Sequence, residues 1–192
     1  GWENYREELK DNSLKIFDSY LKNGFTPAGF FKEFVNLNRG FEEPVHSIRR
    51  QSEGIYAMLH FLAYEKEQGR KHPEWEQRVK QMFEMFLKLQ NADGSFPRKF
   101  RDDFTLVDPS GGSTPSATFP LVMGYKYFKD KRYLASARKT AEYLEKELIS
   151  KADYFSSTLD ANCEDKEASL YTATATYYLS PLSYTHLTLP TI

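Results

Sequence analysis

The chain has 192 residues, and its 26 Lys and Arg stand against 27 Asp and Glu, for a net charge of −1. That balance argues against a nucleic-acid binder, which carries a basic excess, and no apolar run approaches the roughly 18 to 20 residues needed to cross a bilayer. Hydrophobic residues at 40% and charged residues at 28% describe an ordinary folded chain. The single cysteine, Cys163, excludes an internal disulfide framework and any multi-cysteine metal site.

In chain order, Glu3 to Lys22 places Tyr5, Leu9, Ile16, Phe17 and Tyr20 on one helical face, with charged residues opposite. The stretch from Val45 to Glu53 opens a second helix. Its continuation, Gly54 to Tyr64, is apolar nearly all round and is expected to be buried on most sides, His60 included as a hydrogen-bonded core residue. Pro73 to Gln90 repeats the one-sided pattern with Trp75, Val79, Met82, Phe83 and Phe86, and Pro73 suits a first helical turn.

Ala117 to Phe128 is again apolar on most sides. Its Pro120 either starts the helix or kinks it, and Ser113, Thr114 and Ser116 are expected to cap it. Lys131 to Ser150 faces Tyr133, Leu134, Ala137, Ala141, Leu144 and Leu148 inward, and Ala168 to Leu179 is a third helix with no charged face. The small residues Ala57, Ala117, Gly124, Ala173 and Ala175 are expected to let the apolar helices pack closely.

The order is therefore outer, inner, outer, inner, outer, inner. A helical hairpin repeating every ~50 to 65 residues predicts an all-α solenoid or closed toroid with two helix layers. The inner-to-outer links are short, Glu65 to His72 and Lys129-Asp130. The outer-to-inner links are long (Asn23 to His46, Asn91 to Ser113, Lys151 to Asn162), and all fall on the side where inner helices begin. Long loops in compact domains are usually functional. Their aromatics, Phe30, Phe31, Phe34, Phe41, Phe96, Phe100, Phe104, Tyr154 and Phe155, include candidates for stacking on a sugar ring.

The segment Leu89-Gln90-Asn91-Ala92-Asp93-Gly94-Ser95-Phe96 resembles the Gln-x-x-Asp-Gly-Ser-aromatic turn of α/α toroid proteins. With Gly111 to Thr118 and Leu159 to Ala168, the pattern is most similar to bacterial six-hairpin glycoside hydrolases. The resemblance covers about residues 1–180. It implies three hairpins of an (α/α)6 toroid, roughly half the ring, and a bacterial, periplasmic or secreted protein. An isolated half-ring is expected to be inactive or marginally folded. Residues 181–192, running Pro181-Leu182-Ser183-Tyr184-Thr185-His186-Leu187-Thr188-Leu189-Pro190-Thr191-Ile192, contain a string similar to a translated sequencing adapter. They are expected to be a non-native tail.

Glycoside hydrolysis commonly needs two carboxyl groups in a cleft that separates their pKa values. The mouth of the third inner helix carries Asp160, Glu164, Asp165 and Glu167. Asp165, Glu167 and Glu164 are the candidate catalytic acids. Asn162 as an N-cap with Asp165 in the first turn, and Asp160 as an anion near the helix dipole, are the competing structural readings. Arg49 and Arg50 stand at a helix start, where the dipole opposes them, and either can pair with Glu53. A structural ion pair and a fork for a uronic-acid carboxylate both fit. Arg49, Arg50, Glu53, Asp160 and Asp108 are therefore candidate substrate-binding residues.

Arg98, Lys99 and Arg101 are expected to sit on a solvated loop. No His or Cys spacing suggests a metal, and no cofactor is expected. Cys163, at a helix start among acids, is a weak nucleophile candidate. The expected partner is an oligosaccharide or polysaccharide substrate. A polysaccharide lyase or sugar epimerase on the same fold, and a non-enzymatic helical-repeat binding scaffold, are the alternatives. A Glu167 exposed and remote from Arg49, Arg50 and Asp108 would favour the scaffold.

Overall fold

The computed structural model describes residues 2–33, 35–36, 38, 41–42, 45–154 and 166–180. Glu164, Asp165, Asp160, Asn162, Cys163, Phe34 and Phe155 lie outside the described residues, as does the tail 181–192.

The helices follow the predicted order: α1 (Trp2–Asn23), α2 (Ile48–Glu67), α3 (Pro73–Leu89), α4 (Thr114–Phe128), α5 (Lys131–Tyr143) and α6 (Lys166–Leu179). The third outer helix does not stay α-helical to Ser150, because a π turn spans Leu144–Ile149 and keeps both Leu144 and Leu148 buried. Inner helices α2 and α6 both pack on α4, which lies between them. The outer helices α3 and α5 back this row. Phe83 of α3 stacks on Tyr133 of α5 at 4.3 Å, and at Gly124 of α4 a Cβ would lie 2.4 Å from the Phe83 ring. The absence of a side chain at Gly124 is what brings α4 down onto α3. Among the described residues no helix is long and apolar enough to cross a membrane.

The turn after α3 explains its sequence. Gln90 donates to the Gly94 carbonyl at 3.1 Å and to the Ser136 carbonyl at 3.0 Å, while its own carbonyl accepts from Ser136 Oγ at 2.8 Å. One side chain thus closes the turn and ties α3 to α5. Asp93 accepts from the Ser95 backbone and hydroxyl, and Phe96 is fully buried beneath. Gly94 has φ +90, and a Cβ there would meet the Lys139 carbonyl oxygen at 2.2 Å, so glycine is required for both reasons.

The long links are less irregular than expected. A two-stranded ribbon pairs β1 (Val35–Asn36) with β2 (Phe41–Glu42). Then β3 (Val45–Ser47), β4 (Lys99–Arg101) and β5 (Leu106–Asp108) form a three-stranded antiparallel sheet, with Ser47 opposite Lys99 and Val45 opposite Arg101. The sheet stitches the first long link to the second beside the start of α2. Strands of three residues are too short to show an alternating pattern.

Other differences concern burial. Pro120 lies inside α4, which begins six residues earlier at Thr114. Ser113 is the N-cap residue but makes no side-chain capping bond, and Thr114 Oγ1 instead accepts from the Phe96 amide at 2.9 Å. Leu9, Ile16 and Tyr20 of α1 are exposed, as are Leu170 and Tyr177 of α6, Ala57, Ala173 and His60. Helix α1 is held chiefly by Phe17, stacked 4.1 Å from Phe61 and edge-on to Trp75 at 5.3 Å. The inner helices α2 and α6 are covered by α4 and by their outer neighbours but each keeps an open face, so an apolar surface all round a helix did not imply burial all round. Phe30, Phe96 and Phe100 are fully buried core residues and cannot stack on a ligand, and Phe31 is buried between α1 and α2, away from the rim.

Candidate functional site

The first turns of α2 and α6 meet in front of α4. Arg49 of α2 donates from Nη1 to Glu167 Oε2 of α6 at 2.7 Å and from Nε to Glu53 Oε1 at 3.1 Å. Its Nε also lies 3.2 Å from the Tyr171 hydroxyl, which in turn donates to Glu53. The guanidinium carbon sits 5.2 Å from the Tyr171 ring centroid. One cation therefore bridges two carboxylates from helices 118 residues apart in sequence. Glu53 and Glu167 remain 43% and 44% exposed, so both carboxylates can be reached from solvent.

Helix periodicity explains the convergence. Arg49 and Glu53 are one turn apart on α2, and Glu167 and Tyr171 are one turn apart on α6. Further along both helices, the hydroxyls of Tyr56 (α2) and Tyr178 (α6) are 3.0 Å apart. The contacts climb both helices in the same direction, so α2 and α6 run parallel and open at a common rim. Phe119 of α4 forms the floor, 5.1 Å from Tyr56, 6.1 Å from Tyr171 and 6.1 Å from Tyr178. The exposed His60 stands edge-on to Tyr56 at 4.5 Å. The result is a strip of aromatic rings with a charged cluster at its loop end.

Burial would lower the Arg49 pKa, but bonds to Glu53 and Tyr171 overcome it and hold the guanidinium above its ordinary value. Burial and then the bond to Glu53 push the Tyr171 hydroxyl up to about 12, so it stays a proton donor at neutral pH. Burial and the Tyr56 hydroxyl similarly push Tyr178 up to about 12. Nε and Nη1 of Arg49 are engaged by protein carboxylates, while a guanidinium carries five N–H donors in all.

Of the residues expected at the site, Arg49, Glu53 and Glu167 come together. Arg50 does not join them: adjacent residues on a helix point ~100° apart, and Arg50 turns to Glu33, 3.7 Å away. Asp108 is drawn to the sheet, where it pairs with Arg98 at 3.3 Å. Burial would raise the Asp108 carboxyl, but bonds from Ser110 and the nearby Arg98 and Lys99 hold it below its usual range. Arg98 is buried at 4% exposure, so the expected solvated basic loop is a sheet edge with a buried guanidinium. Three site residues carried no signal as such: Tyr171, Tyr56 and Phe119 read only as parts of apolar helices. Their spacing with Arg49 and Glu167 along α2 and α6 is the trace that could have revealed them.

A second polar cluster lies at the entry to α2. Glu33, whose side chain is 2% exposed, accepts through Oε1 from the Ser47 amide at 2.7 Å and from Gln51 at 2.8 Å. His46 joins Asp102 at 2.7 Å, and Asp102 accepts from Thr26 at 3.0 Å. Glu33 was not expected to matter. Among the described residues no group of three or more His, Cys, Asp or Glu is placed to hold a metal ion.

No family model matches the chain. Solved structures do. An unsaturated glucuronyl hydrolase from a Bacillus species is 12% identical with a TM-score of 0.68, over 96% of this chain and 52% of that one. A cellobiose 2-epimerase from Bacillus thermoamylovorans is 19% identical at 0.59, over 72% of this chain and 36% of that one. The cellobiose 2-epimerase of Spirochaeta thermophila is 14% identical at 0.62, over 85% and 45%. The chain thus spans between 36% and 52% of the length of these structures. At such identities the likeness concerns the fold, and the fold is that of the α/α toroid enzymes: hairpins of helices in an inner and an outer layer.

Proposed function

We propose that the rim where α2 and α6 begin is a carbohydrate-processing site. Its reaction is hydrolysis of a glycosidic bond in an oligosaccharide, uronic-acid-containing ones included, by carboxyl groups acting as proton donor and acceptor. The observation that carries this reading is Arg49 held between Glu53 and Glu167 at the head of an aromatic strip. Shared cations keep carboxylates oriented, and rings of the Tyr56 and Tyr171 kind present apolar faces with polar tips to a sugar. Glu167 supplies one catalytic carboxyl, with Glu164 and Asp165 as candidates for the other. Arg49 and Glu53 orient the pair and contact substrate, with Asp160 a further candidate for substrate binding. The pairing of Glu167 with Arg49 favours an enzyme over a binding scaffold, which has no use for a bridged acid pair.

A second reading is sugar epimerisation at the same rim. The epimerase structures share the fold, and the exposed His60 beside Tyr56 offers a group that takes and returns a proton. The two readings part by product. The intact gene product is assayed on neutral and unsaturated-uronyl disaccharides, with monosaccharide release scored against isomeric disaccharide. Glu167→Gln and Arg49→Met are expected to lower kcat by about 100-fold or more. Unchanged turnover in both variants removes the rim as the site.

A further inference from the structure

On a different face of α2, between it and α1, lies a cavity of about 300 Å³. Phe17 and Tyr20 of α1, Phe31, Met58 of α2 and Trp75 of α3 wall it. The absence of a side chain at Gly54 lets the Phe31 ring seat against α2, since a Cβ there would lie 2.3 Å from that ring, and Ala57 lines the cavity with only a methyl group. The volume equals that of about ten water molecules in the liquid, at the small end of ligand sites, which start at about 300 Å³.

The charged lining residues are Lys32, Glu33 and Arg50. Glu33 is locked through Oε1 by the Ser47 amide and Gln51, while its buried Oε2 has no hydrogen-bond partner. Arg50 Nη1 lies 3.7 Å from that oxygen, beyond a good hydrogen bond, and its side chain is 50% exposed. A buried carboxyl oxygen without a partner is costly. Burial pushes the Glu33 carboxyl up despite Gln51, Ser47, His46 and Arg50. A group entering here can satisfy Oε2 and take the Arg50 donors at once.

We propose that this cavity binds a small carboxylic acid with an aromatic or short aliphatic body. The ligand carboxylate is held by Arg50 and shares a proton with Glu33, and its body packs among the rings. The inference is independent of the sugar-processing reading, because its site, ligand and measurement are all separate from the rim.

The test is titration calorimetry with 3-phenylpropionate and, in parallel, 3-phenylpropanamide. The acid is expected to saturate with a Kd of about 1 mM or tighter, to take up a proton on binding, and to bind at least about tenfold more tightly than the amide. Arg50→Ala is expected to lose that preference, and Ala57→Phe to abolish binding with the helical circular dichroism retained. Absence of saturation by the acid, equal affinity for the amide, or unaltered acid affinity in Arg50→Ala overturns the proposal. Should Ala57→Phe fail to fold, Arg50→Ala decides alone, since its half-exposed side chain is not part of the core.

Discussion

The two ends of α2 each bury a glutamate, and the two are treated in opposite ways. At the far end, Glu65 is 1% exposed and fully engaged: Arg70 donates to it at 2.7 and 2.5 Å, and His72 lies 2.9 Å away. Those bonds, Arg70 first, outweigh burial and draw its pKa down to about 2. At the loop end, the Glu33 side chain is equally buried but has one oxygen without a hydrogen-bond partner among the described residues, and burial wins. The short link carrying Arg70 and His72 was complete enough to close its cluster. The long links gather more polar groups than they pair, as sites for ligands do. Closed polar clusters mark structure, and open ones mark places where something else is meant to bind.

That contrast can be broken. Its largest expected effect is at the closed end: Glu65→Gln keeps the shape but loses the charge that holds Arg70 and His72, and should cost about 3 kcal/mol in urea unfolding at pH 7. Such a loss with no change in ligand affinity at either site would mark Glu65 as purely structural. A variant as stable as the wild type would remove the distinction between the two ends.

The pH dependence sharpens the same point, and the signs are opposite. The folded pKa of Glu65 lies below its model-compound value of 4.5, so its contribution is full above pH 4.5 and is lost as the pH falls toward about 2. The folded pKa of Glu33 lies above 4.5, so its contribution is present below that pH and is lost as the pH rises through the folded value. Unfolding free energies measured at pH 7, 4.5 and 3 should therefore show Glu65→Gln approaching the wild type in acid. The smallest effect is at the open end, where Glu33→Gln should lie within about 1 kcal/mol of the wild type at pH 7. Relative to the wild type, that variant should fare better at neutral pH than in acid. The reverse trend would show that Arg50 pairs Glu33 more fully than its 3.7 Å separation implies.

The inner and outer layers were legible because helix amphipathicity is local. Trp75, Val79, Met82, Phe83 and Phe86 fall on one face of α3 whatever surrounds it, and all five are buried. The Gln90 turn was equally legible, because the bonds from Gln90 to the Gly94 carbonyl and from Ser95 to Asp93 are set within a few residues. The site was legible in part. Glu167 and Arg49 stood out as charges at the starts of helices, yet nothing local separates Arg49 from Arg50, which the structure sends to different clusters. The sheet joining Val45–Ser47 to Lys99–Arg101 was missed because three residues are too few to show a period.

Local physics was therefore enough to set the six helices, their alternation and the rim where the long links gather, since 3.6-residue periodicity and turn chemistry are written within a dozen residues. Three-dimensional packing alone decided which acid meets which base. Arg49 finds Glu167 across 118 residues and Glu33 finds Gln51 across 18. Such pairings depend on how helices turn about their axes once packed, and rotating a helix by one residue, ~100°, exchanges Arg49 for Arg50.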